Sequence, residues 1–140
     1  MNDQMNEHHG GCLCGAVTYT VRGALRDVMF CHCRQCQKTS GHYFAATSAP
    51  RANLTLTGER GLKWYRSSDW AERGFCGNCG SSLFWRMNDS DSISILAGSL
   101  DGKTGLATGS HIFVADKKDY YEITDGLPQY DSYPGAPETS

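Results

Sequence analysis

Apolar and polar residues alternate along this chain in short runs. Val17, Tyr19 and Val21 interleave with Thr18 and Thr20, the period-two signature of a half-buried strand over residues 16–21. Val28, Met29 and Phe30 form a short apolar run. Strands are predicted over 43–47 and 54–57, with Pro50 and Asn53 as turn residues between them. Gly58 and Gly61 bracket a further turn before Leu62-Lys63-Trp64-Tyr65, and β-rich runs recur at 82–85, 93–96 and 111–114. Residues 36–40 suit one short helix, with Gly41 as its C-cap. Segments this short, punctuated by glycine, predict a mainly β domain. Trp64, Tyr65, Trp70, Phe75, Phe84 and Trp85 are expected in its core. Residues 127–140 hold three of the four prolines and are expected to wrap the surface.

Composition narrows the class. The chain has 140 residues, 39% hydrophobic and 20% charged, enough for one domain around one core. Net charge is −2 with no basic cluster, which argues against a nucleic-acid zinc ribbon or a membrane surface. No apolar run approaches the ~18 residues of a membrane span. Residues 1–9 are polar, lack the apolar stretch of a secretion signal, and read as a frayed tail that includes His8 and His9.

The seven cysteines change the picture most. An odd count in C-x-C and C-x-x-C spacing favours metal ligands in a reducing cytoplasm over a secreted disulfide scaffold. A thioredoxin-like motif would need a βαβ pattern, which is absent. Cys31-His32-Cys33-Arg34-Gln35-Cys36 places three thiols at relative positions 0, 2 and 5. On an extended segment Cys31 and Cys33 share a face, and a turn after Cys33 returns Cys36 to it. Such a tripod leaves one corner of a tetrahedron empty, as in a working zinc site. A fourth protein ligand (His32, His42 or His111) would instead make it structural. Cys12-Leu13-Cys14 and Cys76-Gly77-Asn78-Cys79 supply a full four-thiolate set if the fold joins them, and a metal there would close a long loop. Arg34, Lys38 and Arg73 are the cations suited to offset the tripod's charge, with Arg73 expected to approach through the Cys76 loop. His32, His42 and His111, with Ser40 as a hydroxyl relay, are the candidates for proton transfer. Alternation with two ligands would turn His32 away from a metal.

Three stretches carry a resemblance: Gly10-Gly11-Cys12-Leu13-Cys14-Gly15-Ala16-Val17, the run from Cys31 to Gly41, and Arg73-Gly74-Phe75-Cys76-Gly77-Asn78-Cys79-Gly80-Ser81. Together with Gly98-Ser99-Leu100-Asp101, His111-Ile112-Phe113-Val114 and Asp125-Gly126-Leu127-Pro128, they resemble the glutathione-dependent formaldehyde-activating enzyme family, also called the centromere protein V family. The resemblance implies an Mss4-like folded β-sandwich over 10–134, with tails at 1–9 and 135–140. It implies a structural Zn²⁺ on Cys12, Cys14, Cys76 and Cys79, and a second, labile or catalytic Zn²⁺ on Cys31, Cys33 and Cys36. The implied activity is that of a carbon–sulfur lyase, adding a small thiol such as glutathione reversibly to an aldehyde such as formaldehyde. Thr108 and Tyr120 depart from the residues usual in the family, and the chain lacks the longer ends of its formaldehyde-activating members. A non-catalytic zinc-stabilised β module that binds a protein partner or small thiol is the alternative.

Overall fold

A computed structural model describes residues 6–134. Ten strands and one short helix form two sheets. The smaller sheet is antiparallel, in the order β1-β2-β5: β1 (Glu7–Gly11), β2 (Val17–Arg22) and β5 (Leu54–Glu59). The larger runs β10-β3-β4-β9-β8-β7-β6. Its strands are β3 (Val28–Cys31), β4 (Phe44–Pro50), β6 (Leu62–Arg66), β7 (Ala71–Cys76), β8 (Ser82–Met87), β9 (Ser92–Leu96) and β10 (Thr108–Ile112). Every pairing is antiparallel except β10 with β3. Helix α1 (Arg34–Ser40) follows β3 directly. The chain is mainly β, as the alternation predicts.

Period two in β2 reflects burial: Val17, Tyr19 and Val21 face inward and meet Leu83, Phe84, Ile93 and Ile95 of the larger sheet. Tyr19 and Phe84 pack edge to face at 5.3 Å, a favourable aromatic geometry. Of the six aromatics expected in the core, Phe84 is fully buried, whereas Tyr65 and Trp70 are 63% and 55% exposed. Trp64 is held at the margin, stacked on Phe84 with the Arg86 guanidinium 3.6 Å from its ring centroid.

Three expectations need correction. The frayed tail is not frayed from residue 7: Glu7, His8 and His9 open β1, paired in register with Arg22, Val21 and Thr20, because β2 offers them a free backbone edge. Residues 1–5 and the tail at 135–140 lie outside the described residues. The run at 111–114 leaves the strand after Ile112. Phe113 adopts a left-handed backbone (φ 56°) and donates its N–H to the Ser132 carbonyl, and a 3-10 turn follows at Val114–Asp116. Strand β7 has no counterpart among the predicted runs, since its inward residues include an arginine and a glycine where apolar side chains would mark a strand. The segment after Pro128 lies along β10: His111 N–H donates to Pro128 O, Tyr130 N–H to His111 O, and Val114 N–H to Tyr130 O.

Candidate functional site

The seven sulfurs fall into two groups, Cys12, Cys14, Cys76 and Cys79 in one and Cys31, Cys33 and Cys36 in the other. Within each, the ligand atoms lie within 4.8 Å of one another. Zn–S bonds of about 2.3 Å in a tetrahedron require S···S edges of about 3.8 Å. The Cys12–Cys14 and Cys14–Cys76 sulfur separations are 3.7 and 3.8 Å, so these two edges of the four-thiolate set match the ion. All seven thiols are free.

The four-thiolate set is built from two hairpin knuckles. Cys12 and Cys14 lie in the β1–β2 turn, while Cys76 ends β7 and Cys79 lies in the β7–β8 turn. Gly15 (φ 85°) and Gly80 (φ 80°) take the left-handed conformation that folds each turn back, which a Cβ would oppose. Backbone N–H groups consequently point at sulfur: Val17 N–H to Cys12 Sγ (3.2 Å) and Asn78 N–H to Cys76 Sγ (3.4 Å). Ser81 joins the knuckles, accepting the Leu13 N–H at 3.1 Å with its hydroxyl 3.2 Å from Cys79 Sγ.

The trio sits where β3 gives way to α1. Cys31 ends the strand, Cys33 is the helix N-cap, and Cys36 is buried in the first turn, with its N–H donated to Cys33 Sγ at 3.3 Å. Hydrogen bonds from Cys31 and then Cys36 draw the Cys33 thiol down to about 2, and Arg73 adds to the effect. Mutual sharing of the same protons pushes Cys31 up. Three thiols competing for too few protons at one point is an arrangement that a cation relieves.

Arg73 is the neighbour that matters most. It comes from the middle of β7, not through the Cys76 loop, and is 8% exposed. Its Nη2 donates to Cys36 Sγ (3.7 Å) and Gln35 Oε1 (3.3 Å), and its guanidinium lies 5.2 Å from the Phe44 ring centroid. Its Nε and Nη1 are buried without a partner, and no carboxylate pairs with it among the described residues. A buried, unpaired guanidinium costs several kcal/mol unless negative charge lies beside it. Cys33, drawn toward the thiolate, supplies part of that charge, and a bound cation would let Cys31 and Cys36 supply the rest. The donor set and its cation thus fit a bound Zn²⁺.

His32, expected to turn away from the sulfurs, is fully buried on the opposite side of the strand. Its Nε2 meets His111 Nδ1 at 2.8 Å, its Nδ1 meets the Tyr121 hydroxyl, and His111 Nε2 meets Asp125 Oδ2 at 2.7 Å. With both imidazoles neutral this chain runs one way: His111 donates to Asp125, His32 to His111, and Tyr121 to His32. Burial first, then the nearby positive charge of His111, His42 and Lys117, pushes His32 down to about 4. Burial raises Tyr121, and the hydrogen bond from His111 lowers Asp125.

Both ring nitrogens of His32 and His111 are therefore engaged, and among the described residues no His, Asp or Glu joins the three thiols as a fourth ligand. His42 is exposed, stacked near Tyr120 with Nδ1 2.6 Å from its hydroxyl. Ser40 is occupied in closing α1, donating to Cys36 O (2.7 Å) and accepting His42 N–H. Arg34 and Lys38 line a groove on the outer face of α1. Sequence reasoning assigned no role to Tyr121, Asp125, Gln37 or Lys118. Asp125 and Gln37 lie in quoted stretches, and nothing local marks Tyr121 or Lys118.

Comparison with known proteins bears on this geometry. The family model described as glutathione-dependent formaldehyde-activating enzyme matches residues 7–116. An uncharacterized lyase of Schizosaccharomyces pombe is 30% identical over 122 residues, covering 86% of this chain and 88% of its own. A Rhodobacter sphaeroides protein of known crystal structure superposes with a TM-score of 0.57 at 20% identity, covering 87% of this chain and 98% of its own, a likeness of fold.

Proposed function

The chain belongs to the glutathione-dependent formaldehyde-activating enzyme family, and on that premise we propose that it is a zinc-dependent carbon–sulfur lyase that adds a small, glutathione-like thiol reversibly to an aldehyde such as formaldehyde. The observation that carries the reading is the convergence of Cys31, Cys33 and Cys36 with no fourth protein ligand among the described residues, beside a buried Arg73 that pairs with no carboxylate among them. Cys12, Cys14, Cys76 and Cys79 would hold a second Zn²⁺ as a structural clamp between the two sheets.

An ordinary thiol, with a pKa near ~8.5, is mostly protonated at neutral pH, whereas the thiolate is the nucleophile. Cys31, Cys33 and Cys36 would hold a Zn²⁺, which would supply the Lewis acidity that favours the thiolate form of an incoming thiol. The protein's own residues do the rest. Arg73 balances the charge of the thiolates from the buried side. The paired imidazoles of His32 and His111, locked by Asp125 and Tyr121, hold the Cys31–Cys33 segment in register against β10. In the addition, the C–S bond forms as the C=O π bond breaks, and the aldehyde oxygen takes up the proton that the thiol gave away. His42 is the group suited to carry that proton: it is exposed beside α1, and its Nε2 has no partner among the described residues.

Incubation with formaldehyde and glutathione tests the reading. NMR should detect S-hydroxymethylglutathione forming and exchanging faster than the spontaneous background. No acceleration across several thiols and aldehydes would favour the non-catalytic binding module.

A further inference from the structure

Arg73 carries its buried charge on a long, flexible side chain. Pairing with Tyr65 on β6 and Trp85 on β8 fixes its Cα but leaves its guanidinium free to turn. Among the described residues, two side-chain atoms accept hydrogen bonds from that group: Cys36 Sγ at 3.7 Å and Gln35 Oε1 at 3.3 Å. No carboxylate among them anchors it, and Glu72, its neighbour in the chain, pairs with Arg86. Gln35 is tethered at its other end, where Nε2 donates to the Ser67 carbonyl (3.1 Å) in the turn between β6 and β7. Chemistry dictates the orientation of this amide. A guanidinium only donates and a carbonyl only accepts, so Oε1 faces Arg73 and Nε2 faces Ser67. Glutamate would set an oxygen against the Ser67 carbonyl, and lysine would set a cation against Arg73. An uncharged amide also leaves the whole charge of Arg73 to act on the sulfurs, where a carboxylate would offset it.

We propose that Gln35 is a positioning residue for the three-sulfur centre: its amide, braced on Ser67 O, holds the Arg73 guanidinium against Cys36 Sγ and so sets how tightly the trio keeps a metal. This rests on the reading of the trio as a zinc site. Groups that touch a metal's ligands orient them and tune the affinity, and their loss typically weakens binding about 10- to 100-fold. Gln35 acts one contact further out, through Arg73, so its removal frees the guanidinium without deleting the charge. The expected loss therefore lies at the lower end of that range. Nε and Nη1 of Arg73 already lack partners, so without Gln35 the Cys36 sulfur is the single acceptor left to the guanidinium among the described residues.

Gln35→Met keeps the length and helix propensity of the side chain and makes neither hydrogen bond. Zinc affinity of the full chain, measured by chelator competition, should fall about tenfold for the ion on the trio. The ion on Cys12, Cys14, Cys76 and Cys79 should be held as in wild type. Loosening of both ions together would mark Gln35 as a general structural residue and overturn the proposal. A double variant tests whether Gln35 acts through Arg73. Added to Arg73→Met, Gln35→Met should change the affinity by less than about twofold, and losses that multiply would show two independent effects, against the proposal. The NMR resonance of the Arg73 Nε–H reports the same coupling with the arginine intact. It should move in Gln35→Met, and an unmoved resonance would show that the amide does not hold the guanidinium. Zinc held equally by wild type and Gln35→Met would sink the proposal and leave the zinc trio standing, whereas a wild-type trio that takes up no zinc would remove both.

Discussion

Cys76→Ser and Cys33→Ser remove one sulfur each, from different groups, and should have very different consequences. The four-thiolate set joins Cys14 to Cys76 across 62 positions. In the chain-entropy treatment of a cross-link, closing a loop of that length stabilises the native state by about 4 kcal/mol, whereas the six-residue span of the trio gives about 2 kcal/mol. Typical domains have only about 5–15 kcal/mol in all. Cys76 is also fully buried at the end of a core strand, with an N–H aimed at its sulfur. Cys33 is a half-buried helix cap, and serine is among the best capping residues, so Cys33→Ser preserves the start of α1. At roughly 3–5 °C per kcal/mol for a chain of this size, Cys76→Ser should lower Tm by about 15 °C and Cys33→Ser by no more than about 8 °C. Thermal circular dichroism, with zinc per chain measured on the same samples, reads both. Cys33→Ser should keep one zinc, remain folded and lose activity. Equal falls in Tm, or two zincs retained in Cys33→Ser, would refute the division into clamp and working site.

Other expectations follow from single contacts. Mild chelation should reduce two zincs per chain to one with the far-ultraviolet spectrum unchanged; simultaneous loss of both, with unfolding, would contradict the four-and-three grouping. Arg73→Met keeps the packing over Phe44 but removes the buried charge, so trio affinity for zinc, measured by chelator competition, should fall about 10- to 100-fold. Gly10→Ala would place a methyl group 2.4 Å from the Tyr19 ring and 2.5 Å from the Ser99 carbonyl oxygen, costing about 1–3 kcal/mol, and an unchanged urea midpoint would show that the strands can part. Burial raises Tyr19 to about 12 despite its hydrogen bond with Ser99 Oγ. The native state therefore keeps a proton that the unfolded chain releases above pH 10, and stability should be full below pH 10 and decline between 10 and 12 with a slope approaching about 1.4 kcal/mol per pH unit. Tyr19→Phe should lack that slope in urea melts.

The histidines separate what was legible from what was not. Alternation between Cys31 and Cys33 already turned His32 away from the sulfurs, because a strand's side chains point to opposite faces whatever surrounds it. Its engagement with His111 and Tyr121 depends on the parallel pairing of β10 with β3 and on the chain that follows β10, contacts separated by 79 and 89 positions from His32. Two aromatics taken for core are a similar case. Tyr65 lies on β6, the strand at the sheet's edge, and Trp70 in the turn between β6 and β7, and such a position is a property of sheet order, not of hydrophobicity. β7 escaped notice because Arg73 occupies an inward position, where the reason for its burial is an electrostatic partner contributed by α1.

By itself the sequence determined the strands of regular alternation, the short helix with its glycine cap, and the two kinds of cysteine spacing, since each depends on backbone geometry over fewer than about ten residues. Tertiary structure alone decided that the knuckle at Cys12 meets the knuckle at Cys76, that Arg73 stands behind Cys36, and that Lys118 faces Arg34 and Lys38 across a groove. Those juxtapositions depend on which strand pairs with which. That choice is settled by the joint burial of Val17, Tyr19, Phe84 and Ile95 and of their neighbours, not by any one stretch of chain.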